Sequence, residues 1–117
     1  MDYVTWINWA LALLSIGFGA MGWLAPRYTM EKVDLKDQGS TMGTSEVRAA
    51  SGALFVMAGV GALIIGSAAA FAMIGFIWAG GALGRITSLV LDGQTRTKWI
   101  FAASEVAVAA IALGINL

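Results

Sequence analysis

The chain has 117 residues, of which 59% are hydrophobic and 12% charged, and its formal net charge is zero; an ordinary soluble domain carries about 25% charged residues, and one core of this size cannot hide so much apolar surface, so the excess faces lipid. Cysteine and histidine are both absent, which excludes disulfides, thiolate metal sites, thiol nucleophiles, histidine-ligated metals and the commonest general base. Zero net charge with no basic stripe excludes nucleic acid as a partner.

Residues 3–25 are nearly all apolar, and about 20 such residues cross the hydrocarbon core. An acidic Asp2, the length of the run and its closure at Pro26 separate it from a secretory signal. Tyr3, Trp6 and Trp9 at one end and Trp23 and Tyr28 at the other match aromatic belts at two membrane interfaces. Segment 27–44 carries Arg27, Glu31, Lys32, Asp34, Lys36 and Asp37. It reads as a solvated loop, with Met30–Val33 as a short interfacial helix.

A second spanning helix is expected over 45–66, capped by the hydroxyl of Thr44 or Ser45. Glu46 then lies in the first turn, where the helix dipole favours it, and Arg48 lies where the dipole disfavours it. At helical spacing Arg48, Gly52, Phe55, Gly59, Ala62 and Gly66 share one face. Glu46, Ala49, Ala53, Met57, Val60 and Ile64 share the other. The first face is mostly small residues, which let another helix approach closely, so Arg48 is expected in a helix–helix seam.

A run from 45 to 91 is too long for one crossing. A tight turn is therefore expected at 67–70, with a third helix over 69–91. That helix carries Gly80, Gly84 and Ser88 as a stripe of small residues, and a mid-helix Trp78 whose indole N–H needs a partner. After a polar turn at 92–98, a fourth helix is expected over 97–116, anchored by Trp99. Glu105 lies two turns inside it, and Ala103, Ala107, Ala110 and Gly114 form a second small stripe.

The expected fold is an all-α, integral membrane four-helix bundle, a single transmembrane domain over residues 1–117. Its loops at 27–44 and 92–98 hold Arg27, Lys32, Lys36, Arg96 and Lys98, whereas the termini and the 67–70 turn carry no Lys or Arg. The positive-inside rule puts those loops in the cytoplasm and both termini on the non-cytoplasmic side. Arg85 then lies about 10 Å deep at 1.5 Å per residue, and Glu105 lies at a similar depth. A charge at the membrane centre costs about 2.5–3.5 kcal/mol on insertion scales. Glu46, Arg48, Arg85 and Glu105 sum to zero charge, so a polar cluster is expected. Its pairs would be Arg85–Glu105 and Arg48–Glu46 or Arg48–Glu105, with Ser88 and Asp92 in reach on the face of Arg85. Gly52, Gly59, Gly80 and Gly84 are the expected helix-packing glycines.

Several short elements run through the chain: Gly17-Phe18-Gly19 with Leu24-Ala25-Pro26, Ser45-Glu46-Val47-Arg48-Ala49 with Gly52 one turn on, Gly84-Arg85-Ile86-Thr87-Ser88 with Asp92-Gly93, and Glu105 in the last helix. Together they resemble the uncharacterised bacterial family called domain of unknown function 4345, over nearly the whole chain. The Glu-x-Arg and Gly-Arg-x-x-Ser elements are the most specific. The resemblance implies a four-helix membrane protein and supplies no activity; the expected location is the bacterial inner (plasma) membrane, multi-pass.

Three functional readings follow. The first is a non-catalytic accessory or structural subunit packing against other membrane proteins or against itself, for example in a respiratory or photosynthetic complex. The residue set points away from an enzyme, and no cofactor and no metal are expected. The second is a bundle binding a lipid or other amphiphile, with Arg48 and Arg85 on an anionic head group and Trp78 and Phe55 along its tail. The third is a small proton-coupled transporter using Glu105.

Overall fold

In a computed structural model describing residues 2–117, every regular element is helical. Helix α1 spans Tyr3–Leu24, α2 spans Pro26–Lys32, α3 spans Met42–Ile65, α4 spans Ala68–Leu91 and α5 spans Arg96–Asn116. All but α2 are long and apolar enough to cross a membrane. The four expected spans are joined by the expected short interfacial helix, which begins at Pro26 rather than Met30 and makes the fifth helix. Pro26 stops α1 and also starts α2, at the first helical position, where its missing N–H costs nothing.

The helix ends follow from local chemistry. Asp2 accepts from the backbone N–H of Thr5 at 2.9 Å and from its hydroxyl at 3.0 Å, and these bonds, the backbone one first, hold its carboxyl below the usual carboxylate range. Helix α2 closes in a Schellman turn. The N–H of Leu35 donates to the carbonyl of Met30 at 2.8 Å and that of Asp34 to Glu31 at 3.4 Å. Asp34 occupies the left-handed position with φ of 59°. Between α3 and α4, Gly66 takes φ of 71° and the Ser67 hydroxyl accepts from the N–H of Ala70 at 3.2 Å. Thr95 caps α5 in the same way through Lys98.

The start of α3 differs from expectation. It begins at Met42, and neither Thr44 nor Ser45 caps it. Asp37 reaches from the preceding loop instead, accepting from the Thr44 N–H at 2.7 Å and the Thr44 hydroxyl at 2.6 Å. The hydroxyl bond first, then the backbone bond, lowers the pKa of its carboxyl.

The chain forms two compact units, and α1 contributes to both. One comprises Ala12–Ile64; the other joins the start of α1, through Leu11, to Ile65–Leu117. In the first, α1 and α3 approach backbone to backbone. A π turn interrupts α3 at Ala49–Ala53, and Gly52 there has φ −128° and ψ −107°. A side chain on Gly22 would collide with the Ser51 carbonyl, and one on Gly19 would lie 2.5 Å from the Gly52 carbonyl oxygen. A side chain on Gly52 would lie 2.6 Å from the Trp23 nitrogen. Below this contact Phe18 packs edge-on against Phe55, with centroids 5.1 Å apart, and Gly59 closes on Ala12 and Ile16.

The π turn corrects the expected face of α3. An α-helical step pairs residue 48 with residue 52, but a π turn advances by five. It therefore aligns Val47, not Arg48, with the buried row of Gly52, Gly59 and Ala62. Arg48 is left exposed on the flank of the seam.

In the second unit, α4 and α5 form an antiparallel hairpin. Gly75 faces Leu113 and Ala112, and Phe71, Ile74, Trp78, Ala82, Ala102 and Ala112 are buried. Outward apolar side chains are abundant, with Leu83 69%, Leu91 74% and Val90 76% exposed. Surfaces of this kind are stable against lipid and costly against water.

Candidate functional site

Two of the expected site residues meet in the α4–α5 hairpin. The Arg85 Nε donates to Glu105 Oε1 at 3.0 Å, and Nη2 donates to Oε2 at 3.5 Å, so the planar guanidinium addresses both carboxylate oxygens. This is the one ion pair among the described residues. The Arg85 side chain is 36% exposed and that of Glu105 14%. Phe101, one turn before Glu105, lies under the guanidinium at 5.2 Å, adding a cation–π contact. Gly81, one turn before Arg85, leaves the space that Glu105 Oε2 occupies, since a side chain there would lie 2.6 Å from that oxygen. Gly81 and Arg85 on one helix, with Phe101 and Glu105 on the other, thus make a self-neutral polar site between two apolar helices.

Among the described residues Arg48 pairs with no carboxylate. Its Nη1 donates to the backbone carbonyl of Trp23 at 2.7 Å. That carbonyl lies in the last turn of α1, where the break at Pro26 leaves acceptors without intrahelical donors. Arg48 thus works as a C-terminal cap in trans, a cation at the negative end of a helix. Within its own unit Arg48 thus engages the broken end of α1 rather than Glu46, one of its two expected partners.

Glu46 is exposed and makes no ion pair among the described residues. The backbone N–H of Asp92 closes α4 on the Ser88 carbonyl at 2.8 Å, and neither side chain joins the Arg85–Glu105 pair. Trp78 is buried, and every buried side-chain nitrogen and oxygen among the described residues has a partner. Of the expected packing glycines, Gly52 and Gly59 lie in the α1–α3 seam. Gly80 and Gly84 face open space, because α4 turns its Gly81 and Gly75 sides toward α5. The stripe of Ala103, Ala107, Ala110 and Gly114 on α5 is also exposed throughout.

The most constrained polar contact outside the ion pair was not anticipated. Asn8 and Asn116 exchange two side-chain hydrogen bonds, of 2.8 and 2.7 Å, and Asn116 also donates to the carbonyl of Ala112. Asn8 is 5% exposed. The available signal was the single side-chain amide within each of α1 and α5, which in a membrane setting requires a partner. The roles of Asp37, Gly19 and Gly22 were likewise missed. The spacing of the two glycines, one helical turn apart, marks a face that backbone can approach.

The family model described as "Domain of unknown function (DUF4345)" matches residues 3–115. No curated protein and no solved structure matches the chain.

Proposed function

The chain belongs to that family of uncharacterised domains, and because the family brings no activity with it, we propose from the geometry that this is a non-catalytic membrane subunit that holds helices of partner polypeptides against α4 and α5. The observation that carries the reading is the outward orientation of two small-residue stripes. Gly80 and Gly84 have no neighbouring atom within van der Waals reach of a side chain, and Ala103, Ala107, Ala110 and Gly114 are exposed. In a membrane, where lipid tails are as apolar as leucine, association comes from close backbone approach and interhelical hydrogen bonding, and small residues supply the first. The partly exposed Arg85 beside Gly84 supplies the second.

On this reading the basic segments 27–44 and 92–98 face the cytoplasm of a bacterial cell and both termini lie on the opposite side. Proton transport through Glu105 draws less support, because Arg85 already engages both of its oxygens. Capture of a head group by Arg48 draws less as well, because that guanidinium is committed to the Trp23 carbonyl.

Purification from the native membrane in mild detergent tests the proposal. A partner polypeptide at fixed stoichiometry is expected, with its yield lowered at least tenfold by Gly84→Leu. A protein that arrives alone, or whose partner is indifferent to Gly84→Leu, would contradict it.

A further inference from the structure

The mouth of α3 carries a cleft of about 320 Å³ that the subunit reading does not use. Its apolar walls are Met30, Leu35 and Val47, and its polar groups are Lys36, Glu46 and Ser51. It adjoins a wider opening that shares Met30, Leu35 and Lys36 and leads past Arg27 to solvent.

The three polar groups are all uncommitted. Among the described residues, Lys36 and Glu46 enter no ion pair, and the Ser51 hydroxyl makes no hydrogen bond. In the regular helices, Thr87 and Ser104 return their hydroxyls to the carbonyls of Leu83 and Ile100, four residues back, at 2.8 Å. Ser51 lies in the π turn, where the register of carbonyls one turn back is shifted, and it makes no such bond. The turn that aligns Val47 with Gly52 thus also leaves a hydroxyl open beside a cation and a carboxylate.

A cation with a hydroxyl donor suits a phosphodiester, and a carboxylate suits an ammonium. The apolar walls suit the first carbons of an acyl chain. The cleft lies where a spanning helix meets a charged loop, the depth of lipid head groups. We propose that this cleft binds the head group of a zwitterionic, ammonium-bearing phospholipid of the surrounding bilayer, with Lys36 and Ser51 on the phosphate and Glu46 on the ammonium.

The test uses the full chain reconstituted alone in nanodiscs of equal phosphatidylethanolamine and phosphatidylglycerol, so a failed partner search leaves it unaffected. Native mass spectrometry then reads the lipid retained. Phosphatidylethanolamine is expected in at least fivefold excess. Lys36→Gln and Glu46→Gln should each reduce that excess to twofold or less, and Ser51→Ala should reduce it partly. Arg85→Gln, outside the cleft, should leave it unchanged. Helical content and melting temperature of Lys36→Gln and Glu46→Gln should match the parent, since both side chains are exposed. Retention in the bilayer ratio, preference for the anionic lipid, or an excess indifferent to the cleft variants would overturn the proposal.

Discussion

Two aspartates in the polar segment do work that charge alone does not reveal. Asp34 holds the left-handed position of the turn after α2, a conformation that aspartate tolerates and β-branched residues do not. Asp34→Val is expected to destabilise the protein by about 1–2 kcal/mol, and Asp34→Gly to be tolerated, as read by thermal unfolding in detergent. Asp37 has a folded-state pKa below its unfolded one, so its contribution is present above the unfolded value and is lost as pH falls through the folded value. The first turn of α3 should therefore loosen from about pH 4 downward, seen as faster amide exchange around Thr44. Asp37→Asn should exchange faster at neutral pH and lose that acid step. In the sequence both residues belong to an unremarkable charge run. Their roles depend on a turn and a cap that place each carboxylate within a few ångströms of a particular N–H.

Helices are where the sequence was most legible, and helix registers where it was least. Hydropathy and length locate the four spans to within a few residues because crossing a membrane imposes a length. The acid and base of the α4–α5 hairpin were legible for a related reason: opposite charges at matching depth in adjacent apolar helices have few alternatives to each other. The π turn was not legible. It arises because Gly19 and Gly22 on α1 let the Ser51 and Gly52 carbonyls come close, a tertiary demand that no periodicity within α3 encodes. Moving the register by one residue moved Arg48 from the seam to its edge and gave it a carbonyl in place of a carboxylate. The glycines of α4 misled for the converse reason, since a small stripe does not say whether its partner lies within the chain.

These contacts make the helices separable by experiment. Gly22→Ala should cost roughly 1–3 kcal/mol of stability, because the added carbon meets main chain that cannot swing away. Gly84→Ala, facing open space, should leave the unfolding midpoint of the isolated protein unchanged or raise it slightly. A double-mutant cycle with Arg85→Gln and Glu105→Gln should give a coupling of about 1 kcal/mol, modest because the guanidinium is partly exposed. Additive single effects would show that the pair contributes no coupling. Asn116→Leu should cost about 1–2 kcal/mol by leaving the buried Asn8 amide short of partners.

At the scale of the whole molecule, the inward and outward surfaces differ in kind. Arg85 and Glu105 are paired within the hairpin and Arg48 is bonded at the end of α1, while Glu46 at the mouth of α3 stays exposed; the outward side chains of the spans are apolar, broken by patches of glycine and alanine. A protein that only had to be stable in a bilayer would gain from larger side chains at Gly80, Gly84, Ala103 and Ala107. Their outward placement is the basis for assigning the molecule to assembly with other helices. The absence of cysteine makes that assignment directly accessible, because a single introduced cysteine carries a photo-cross-linker to one chosen position. With the reagent at residue 84 or 107 in native membranes, polypeptide adducts of one defined mass are expected, while the same reagent at the exposed residues 83 and 90 should capture mainly lipid. Lipid adducts alone at all four positions would contradict the assignment.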